Sequence, residues 1–278
     1  MEGTEDDGTY SILVMPGPGV VMAQVSQPEK RFGDRPVKIY RTHQLSKADR
    51  ERVHPKGEDQ YFATAAGNNI DFLQEANRVL ETTPETGEVK GFDLFLERGQ
   101  QKEIRVVDTS NKPLNDVFVS GLTDQWPIAF RVPESQTRIY AIDPASPRSL
   151  HLLHPEKKLG AFVELTGEAD EPIDVQLQPL ATLTGIAIDE AGSPISNAHI
   201  SLAIAHESAK ELYRELRRLE TPTTTDDNGR FRVENLIPGM KFRVYFRQGR
   251  DERYRIDKRF TLKAGANQDL STVTLKKL

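Results

Sequence analysis

Residues 223–246 read TTTDDNGRFRVENLIPGMKFRVYF, which is the pattern of two consecutive antiparallel strands. Phe231 and Val233 stand two residues apart, and this spacing places both side chains on one face of a strand. A hairpin turn precedes this strand and a Pro-Gly pair ends it, because Asn-Gly tolerates a positive φ and proline cannot continue a ladder. The residues that make these structural turns are Asp227, Asn228, Gly229, Pro238 and Gly239.

Residues 4–19, TEDDGTYSILVMPGPG, repeat this pattern near the start of the chain. Gly8 takes the place of the turn glycine, while Tyr10 and Ile12 take the places of the aromatic and β-branched residues. The repeat predicts two strands, over residues 9–15 and 19–25.

A second internal match needs no gap, since residues 93–120 can be laid on residues 174–201 at a constant offset of 81. Asp108 then meets Asp189, and the turn residue Pro113 meets Pro194. Self-similarity over a domain-sized period indicates tandem modules.

Short alternating strands between Pro and Gly turns predict an all-β fold of tandem Greek-key β-sandwiches. The predicted modules are an incomplete one over 1–98 with an insertion at 29–91, a middle one over 99–180, and a last one over 181–278. The predicted strands of the middle module are 103–108, 116–120, 128–132, 138–142 and 172–177. The predicted strands of the last module are 183–189, 198–203, 229–233, 242–246 and 269–275.

The first module has a closing strand over 92–96 but lacks the two opening strands of this order. We therefore expect it to be truncated at its N-terminus or completed by a strand from another chain. Its sheet edges should be exposed, and residues 1–28 should be the least stable strands or a site of association.

Two stretches have helical periodicity and predict short helical insertions that cover sheet edges. The first is residues 68–81, where Asn69 is the candidate N-cap and Leu73 and Leu80 fall on one face. The second is residues 206–220, where leucines recur at helical spacing.

The composition excludes several classes of protein. A net charge of −5 argues against nucleic acid as the main partner, because phosphate binding needs a dominant positive field. The absence of cysteine excludes disulfides and thiolate metal sites, and no apolar run is long enough for a transmembrane segment. No export signal is visible, so the sequence indicates a cytoplasmic protein if Met1 is the true start.

The last module closely resembles the carboxypeptidase regulatory-like domain, and the middle module resembles it more loosely. The residues that carry the match are Asp189, Gly192, Pro194, Ala198, Asp227, Gly229, Phe231, Pro238 and Gly239. The resemblance implies a non-catalytic, transthyretin-like (prealbumin-like) sandwich of about seven strands. It also implies an accessory or spacer unit of bacterial envelope or exported proteins, and hence an envelope or extracellular location.

No catalytic or metal-binding motif stands out, and we predict no cofactor. His151 and His154 lack the spacing and the glutamate of a zinc protease helix. The acidic turns before Gly8 and Gly229 could hold calcium, but Asp and Asn before Gly are what the turn geometry itself requires.

The candidate binding surface lies within residues 241–260, KFRVYFRQGRDERYRIDKRF. Alternation places one face of this hairpin in the core and leaves an arginine and tyrosine face outside, which could bind an anionic polymer or an acidic partner. The alternative is an ordinary solvated sheet face balanced by nearby acids. The candidate residues are Arg243, Tyr245, Arg247, Arg253, Arg255 and Arg259.

The leading hypothesis is a non-enzymatic structural or interaction protein whose partners are other domains or proteins at the cell surface. The first alternative is a carbohydrate- or peptide-binding module that uses the basic face, with Trp126 as a less favoured sugar contact. The second is the accessory region of a hydrolase, or a hydrolase whose acids come from different modules.

Overall fold

The structure is a computed structural model, and every regular element in its described part is a β-strand. The prediction of an all-β sandwich fold is confirmed. The chain forms two compact units, unit 1 (Met1–Ser26 and Tyr40–Glu97) and unit 2 (Gln27–Ile39 and Arg98–Leu278). In the described residues, no helix is long and apolar enough to cross a membrane. The described residues are 4–14, 16–17, 19–25, 31–32, 35–36, 39–41, 76–123, 129–167, 172–204, 224–250 and 252–278.

Unit 1 contains a two-stranded antiparallel sheet. The first four strands of the chain are β1 (Gly19–Ala23), β2 (Arg31–Phe32), β3 (Arg35–Pro36) and β4 (Arg78–Thr82). β1 pairs with β4 and places the buried Val21 opposite Leu80. β2 and β3 form a separate ladder that belongs to unit 2.

The helix predicted over 68–81 is wrong where it can be tested, because its C-terminal part is strand β4. Asn77 determines this local structure, since its Nδ2 donates to the carbonyl oxygen of Arg41 at 2.9 Å and its Oδ1 accepts from the N–H of Val25 at 2.8 Å. These long-range contacts override the helical periodicity of the sequence. Residues 68–75 and the predicted helix at 206–220 lie outside the described residues.

Two predicted strands of the first module do not pair with any strand of the described chain. Residues 9–14 and 92–96 belong to no sheet of the described chain, so the strand predictions for 9–15 and 92–96 are wrong as they stand. The side chains of 92–96 still alternate between half-buried and exposed, as in a strand with one covered face.

The middle sandwich of unit 2 has two sheets. Its strands are β5 (Gln100–Val107), β6 (Val117–Ser120), β7 (Ala129–Val132), β8 (Gln136–Ile142), β9 (Arg148–His154), β10 (Leu159–Leu165), β11 (Ile173–Gln176) and β12 (Gln178–Pro179). One sheet has the order β11-β5-β8 and the other β12-β10-β9-β6-β7. β11 runs parallel to β5, and β8 runs antiparallel to it.

The last sandwich repeats this plan. Its strands are β13 (Ala181–Ile188), β14 (His199–Ile204), β15 (Arg230–Leu236), β16 (Lys241–Gln248), β17 (Glu252–Arg255), β18 (Phe260–Thr261), β19 (Asn267–Thr274) and β20 (Lys276–Lys277). One sheet has the order β15-β13-β19 and the other β14-β16-β17-β20, with β18 on β16. β13 buries every second residue, including Leu183 and Ala187, against the other sheet.

Comparison of the two sandwiches corrects the predicted strand order of the middle module. β8 pairs with β5 as β15 pairs with β13, and β9 pairs with β6 as β16 pairs with β14. The predicted third strand, 128–132, is therefore an additional hairpin strand, β7. The predicted fourth strand, 138–142, occupies the third position, and residues 148–165, for which no strand was predicted, contain β9 and β10.

Candidate functional site

The basic face of the last sandwich is built on β16, whose side chains alternate between the core and the outside. Phe242, Val244 and Phe246 are buried, whereas Arg243 and Tyr245 are half-buried on the opposite face. Arg247 continues this outer row and is exposed. The alternation predicted from the sequence is therefore present.

The neighbouring strands add more cations to the same face. Directly opposed residues of antiparallel strands share a face, and Arg255 lies opposite Tyr245 while Arg253 lies opposite Arg247. Five of the six predicted residues thus lie together on one sheet face. Arg259 is exposed beyond β17, two residues before Thr261, which pairs with Lys241 at the far end of β16.

Two further residues of this face escaped the sequence analysis. Lys276 pairs with Arg255 at the edge of the sheet, and His199 pairs with Arg247 on the other side. Both come from strands distant in sequence. The strand over 198–203 was predicted from its alternation, but the register that brings His199 to β16 and Lys276 to β17 is not visible in the sequence.

Local acids balance part of this charge. Asp257 forms an ion pair with Arg255 at 3.0 Å. Glu252 and Lys277 lie opposite Gln248 and Tyr254 on the other side of the sheet and form an ion pair with each other at 2.9 Å. The hydrogen bond from Lys277 lowers the pKa of Glu252 from its usual value. In the described chain, the buried Nε atoms of Arg243 and Arg255 have no hydrogen-bond partner.

The structural turns around Gly8 and Gly229 have the same backbone geometry. The N–H of Gly8 donates to the carbonyl oxygen of Glu5 and the N–H of Gly229 to that of Asp226, both at 2.9 Å. Both glycines have positive φ, 85° and 73°. Asp226 Oδ1 also accepts the N–H groups of Asn228 and Arg230, which engages this carboxylate within the turn itself. Asp227 Oδ1 accepts from the side chain of Asn197 at 3.3 Å.

The turns at Pro113 and Pro194 repeat atom for atom. Oδ1 of Asp108 accepts the N–H groups two and four residues later, and Oδ1 of Asp189 does the same. Each proline forms an isolated bridge to the end of its opening strand. At the second Pro-Gly pair, Gly239 has a φ of 78° and its N–H donates to the carbonyl oxygen of Leu262 at 2.9 Å.

The two candidate histidines lie on β9 and are buried. The ring of His151 packs against Phe162, with centroids 5.0 Å apart. Nδ1 of His154 accepts the backbone N–H of Lys157 at 3.4 Å, and burial is the main cause that lowers its pKa. Among the described residues, no three His, Asp or Glu side chains are grouped to hold a metal ion. Trp126 lies outside the described residues.

No protein-family model and no curated protein matches the chain. Among solved structures, a variant of the shaft pilin SpaA of Lactobacillus rhamnosus GG is similar at a TM-score of 0.26 and 12% identity, over 64% of this chain and 98% of that one. A streptococcal ancillary pilin is similar at a TM-score of 0.29 and 13% identity, over 72% and 70%.

The TIE protein of Bacillus anthracis is also similar, at a TM-score of 0.26 and 14% identity. The alignment covers 64% of this chain and 34% of that one, so the chain spans about a third of its length. TM-scores this low assign no role to any residue.

Proposed function

We propose that the chain is a non-catalytic structural and interaction protein built of regulatory-like β-sandwich modules, within a larger bacterial envelope or exported protein. The observation that carries this proposal is the fusion of the two sandwiches of unit 2. A unit that holds other parts at a fixed distance needs such a rigid junction rather than a flexible linker.

The connection between the two sandwiches is itself part of their sheets. β12 pairs with the start of β10 in the middle sandwich, and β13 begins two residues after β12 ends. The N–H of Leu180 donates to the carbonyl oxygen of Lys158 at 3.0 Å, and the N–H of Gly265 donates to that of Pro179 at 2.8 Å. The connecting residues are therefore hydrogen-bonded to both modules.

Apolar packing also crosses the junction. Ala129 and Leu153 of the middle sandwich belong to the same buried cluster as Ile237 of the last one, and Phe118 and Phe162 pack against that cluster. Gly160 allows this close approach, because a Cβ there would lie 2.7 Å from Leu180 Cδ2 and 3.2 Å from Ile237 Cγ1. The two cores should therefore unfold cooperatively.

Calorimetry on the whole chain tests this junction. Gly160→Leu places a large side chain in the junction, so it should separate the two cores and split the unfolding of unit 2 into two transitions. The matched control is Ile104→Ala, deep in the middle core, which should lower the transition temperature without splitting it. Two separate transitions of unit 2 already in the wild type would contradict a rigid junction.

The location is tested by fractionating producing cells and probing intact cells with an antibody against the last module. The proposal expects the protein in the envelope or medium and accessible from outside. Recovery in the cytosol alone would remove the surface role and leave only the rigid architecture.

A second function is favoured by the cationic side chains that share the outer face of β16 and β17. We infer that this basic face binds an anionic carbohydrate or an acidic peptide, with Arg243 and Arg247 as the central donors. This role is compatible with the structural one, because it uses only the outer surface of one sheet.

Titration with polygalacturonate and with polyglutamate tests this site. Arg243→Ala with Arg247→Ala should weaken binding by about tenfold, the effect of losing charge-assisted hydrogen bonds of roughly 1.5 kcal/mol. The control is Arg230→Ala with Arg232→Ala, which removes the same charge from exposed positions of β15. Equal affinity of the wild type and the first variant would exclude this face as the site.

A further inference from the structure

The strand that opens each complete sandwich occupies a constant position. β5 lies between β8, which is antiparallel, and β11, which is parallel. β13 lies in the same way between β15 and β19. The opening strand is therefore the centre of a three-stranded sheet in both modules, and its two neighbours define a slot one strand wide.

Unit 1 contains the equivalents of both neighbours. Residues 9–14 follow the turn at Gly8 as β15 follows the turn at Gly229, with the same backbone hydrogen bonds. Residues 92–96 correspond to 173–177, which include β11, at the offset of 81. Neither segment pairs with a strand anywhere in the described chain.

The two segments are adjacent but are joined by a side chain rather than by a ladder. The hydroxyl of Tyr10 donates to the carbonyl oxygen of Phe92 at 3.0 Å, and the two rings lie 6.0 Å apart. In the last module the residue at the position of Tyr10 is Phe231, whose ring lies against Gly185 of the central strand. In unit 1 the aromatic ring of Tyr10 is therefore in place, but the ring of Phe92 is its neighbour.

The side chains that a central strand would cover are incompletely buried. Ile12 is 39% exposed, whereas its equivalent Val233 is 6% exposed. Leu94 and Leu96 are half-buried, whereas Val175 and Leu177 at the matching positions are buried. Six of the seven exposed large apolar side chains of the described residues lie in unit 1.

We propose that residues 9–14 and 92–96 form an acceptor slot for one β-strand supplied by another polypeptide. The strand would run antiparallel to 9–14 and parallel to 92–96, and would complete the sheet by main-chain hydrogen bonds. This inference goes beyond the structural role proposed above and does not depend on the junction in unit 2.

The register of the complete modules specifies the chemistry of the incoming strand. Val233 faces Leu183, so an apolar residue belongs opposite Ile12. Phe231 faces Gly185, where a Cβ would lie 2.8 Å from the ring, so a small residue belongs opposite Tyr10. The expected pattern is apolar, polar, small.

The position that follows the small residue on the incoming strand faces an acid. In the middle module Asp174 of the closing strand forms a bidentate pair with Arg105 of the opening strand. At the offset of 81, Arg105 corresponds to Ile186, which follows Gly185. Asp93 corresponds to Asp174 at the same offset and is exposed. An arginine or lysine therefore belongs opposite Asp93.

Hydrogen exchange of the full chain with a synthetic peptide tests the slot. The peptide is TLTGIAID, the sequence of residues 182–189 of this chain, and a scrambled peptide is the control. We expect exchange in 9–14 and 92–96 to slow by roughly tenfold or more with the peptide and not with its scrambled form. Absence of protection in both segments would overturn the proposal.

Two variants separate the slot from non-specific binding. Ile12→Glu places a charge on the face that the strand covers and should abolish protection. Leu13→Glu is the matched control, because Leu13 is fully exposed and corresponds to Glu234 of the last module. The peptide should still protect both segments in this variant. Equal protection in both variants would contradict the slot. Protection that rises with protein concentration without peptide would identify a second copy as the occupant and overturn the proposed source.

The charge at Asp93 provides an independent measurement. A peptide with arginine at the position of Ile186 should bind about two- to fivefold more tightly, the size of an exposed ion pair. Asp93→Asn should remove this difference. A difference that survives Asp93→Asn would contradict the proposed register.

Discussion

Asp108 of the middle module and Asp189 of the last module make the same hydrogen bonds through one carboxylate oxygen, although the two turns differ in sequence. Each gathers two backbone N–H groups of the turn, and these bonds lower the pKa of Asp108 from its usual value. The residue between the two donors has a positive φ in both turns, Asn111 in one and Gly192 in the other. The requirement at this position is a left-handed backbone, which Asn meets as well as Gly.

Gly229 is under a stricter requirement than Gly192. Both have a positive φ, but a Cβ at Gly229 would collide with the carbonyl oxygen of Ala187, whereas nothing lies within 4 Å of a Cβ at Gly192. Gly229→Ala should cost about 2–4 kcal/mol of unfolding free energy, and Gly192→Ala only about 1 kcal/mol. Urea unfolding of the two variants checks this, and equal losses would contradict the steric account.

His154 makes stability depend on pH. Its folded pKa lies below its usual value of about 6.5, so the unfolded chain binds the proton first as the pH falls. The contribution of His154 is present above about pH 6.5 and is lost as the pH falls through the lower folded pKa. His154→Asn keeps an acceptor for Lys157 and should flatten this dependence between pH 7.5 and 5.5 in urea unfolding.

At the scale of elements, alternation predicts strands well and does not predict their partners. β13 and β16 were found because every second residue is apolar, which a single sequence shows directly. β9 and β10 were missed because β9 is largely buried on both faces, which hides the alternation. The basic face was found only as far as one hairpin extends, since Lys276 and His199 join it through long-range register.

Strand β4 depends on the side chain of Asn77, which no local pattern reveals. Asn77→Asp removes two donors that face the carbonyl oxygens of Tyr40 and Arg41. The change should destabilise the β1-β4 sheet by about 2–3 kcal/mol, because buried acceptors lose their partners. Faster hydrogen exchange in 19–23 and 78–82 checks this. Asn267→Asp, at an exposed position of β19, should leave that exchange unchanged.

At the scale of the whole molecule, buried apolar area is distributed unequally. Unit 2 contains two large clusters, one in each sandwich. In the described part of unit 1, the buried apolar side chains other than proline are Val21 and Ala76. Since burial supplies most of the stabilisation, unit 1 without a bound strand should open at lower denaturant concentrations than unit 2.

Hydrogen exchange across a urea series checks this order. Residues 4–25 and 76–97 should exchange fully at urea concentrations that leave β13 and β16 protected. The sequence analysis predicted that residues 1–28 are the least stable strands or a site of association. Simultaneous loss of protection in both units would contradict the predicted order of unfolding.

The parallel pairing of the first and last strands of a module has a mechanical consequence. β13 and β19 lie side by side and point the same way, as do β5 and β11. A pull that separates the two ends of the last sandwich therefore acts along the strands and strains all the hydrogen bonds between them together. Such shear resists force better than peeling a hairpin, in which bonds break singly. A chain of these modules would behave as a stiff tether under tension, with a slow rate of forced unfolding.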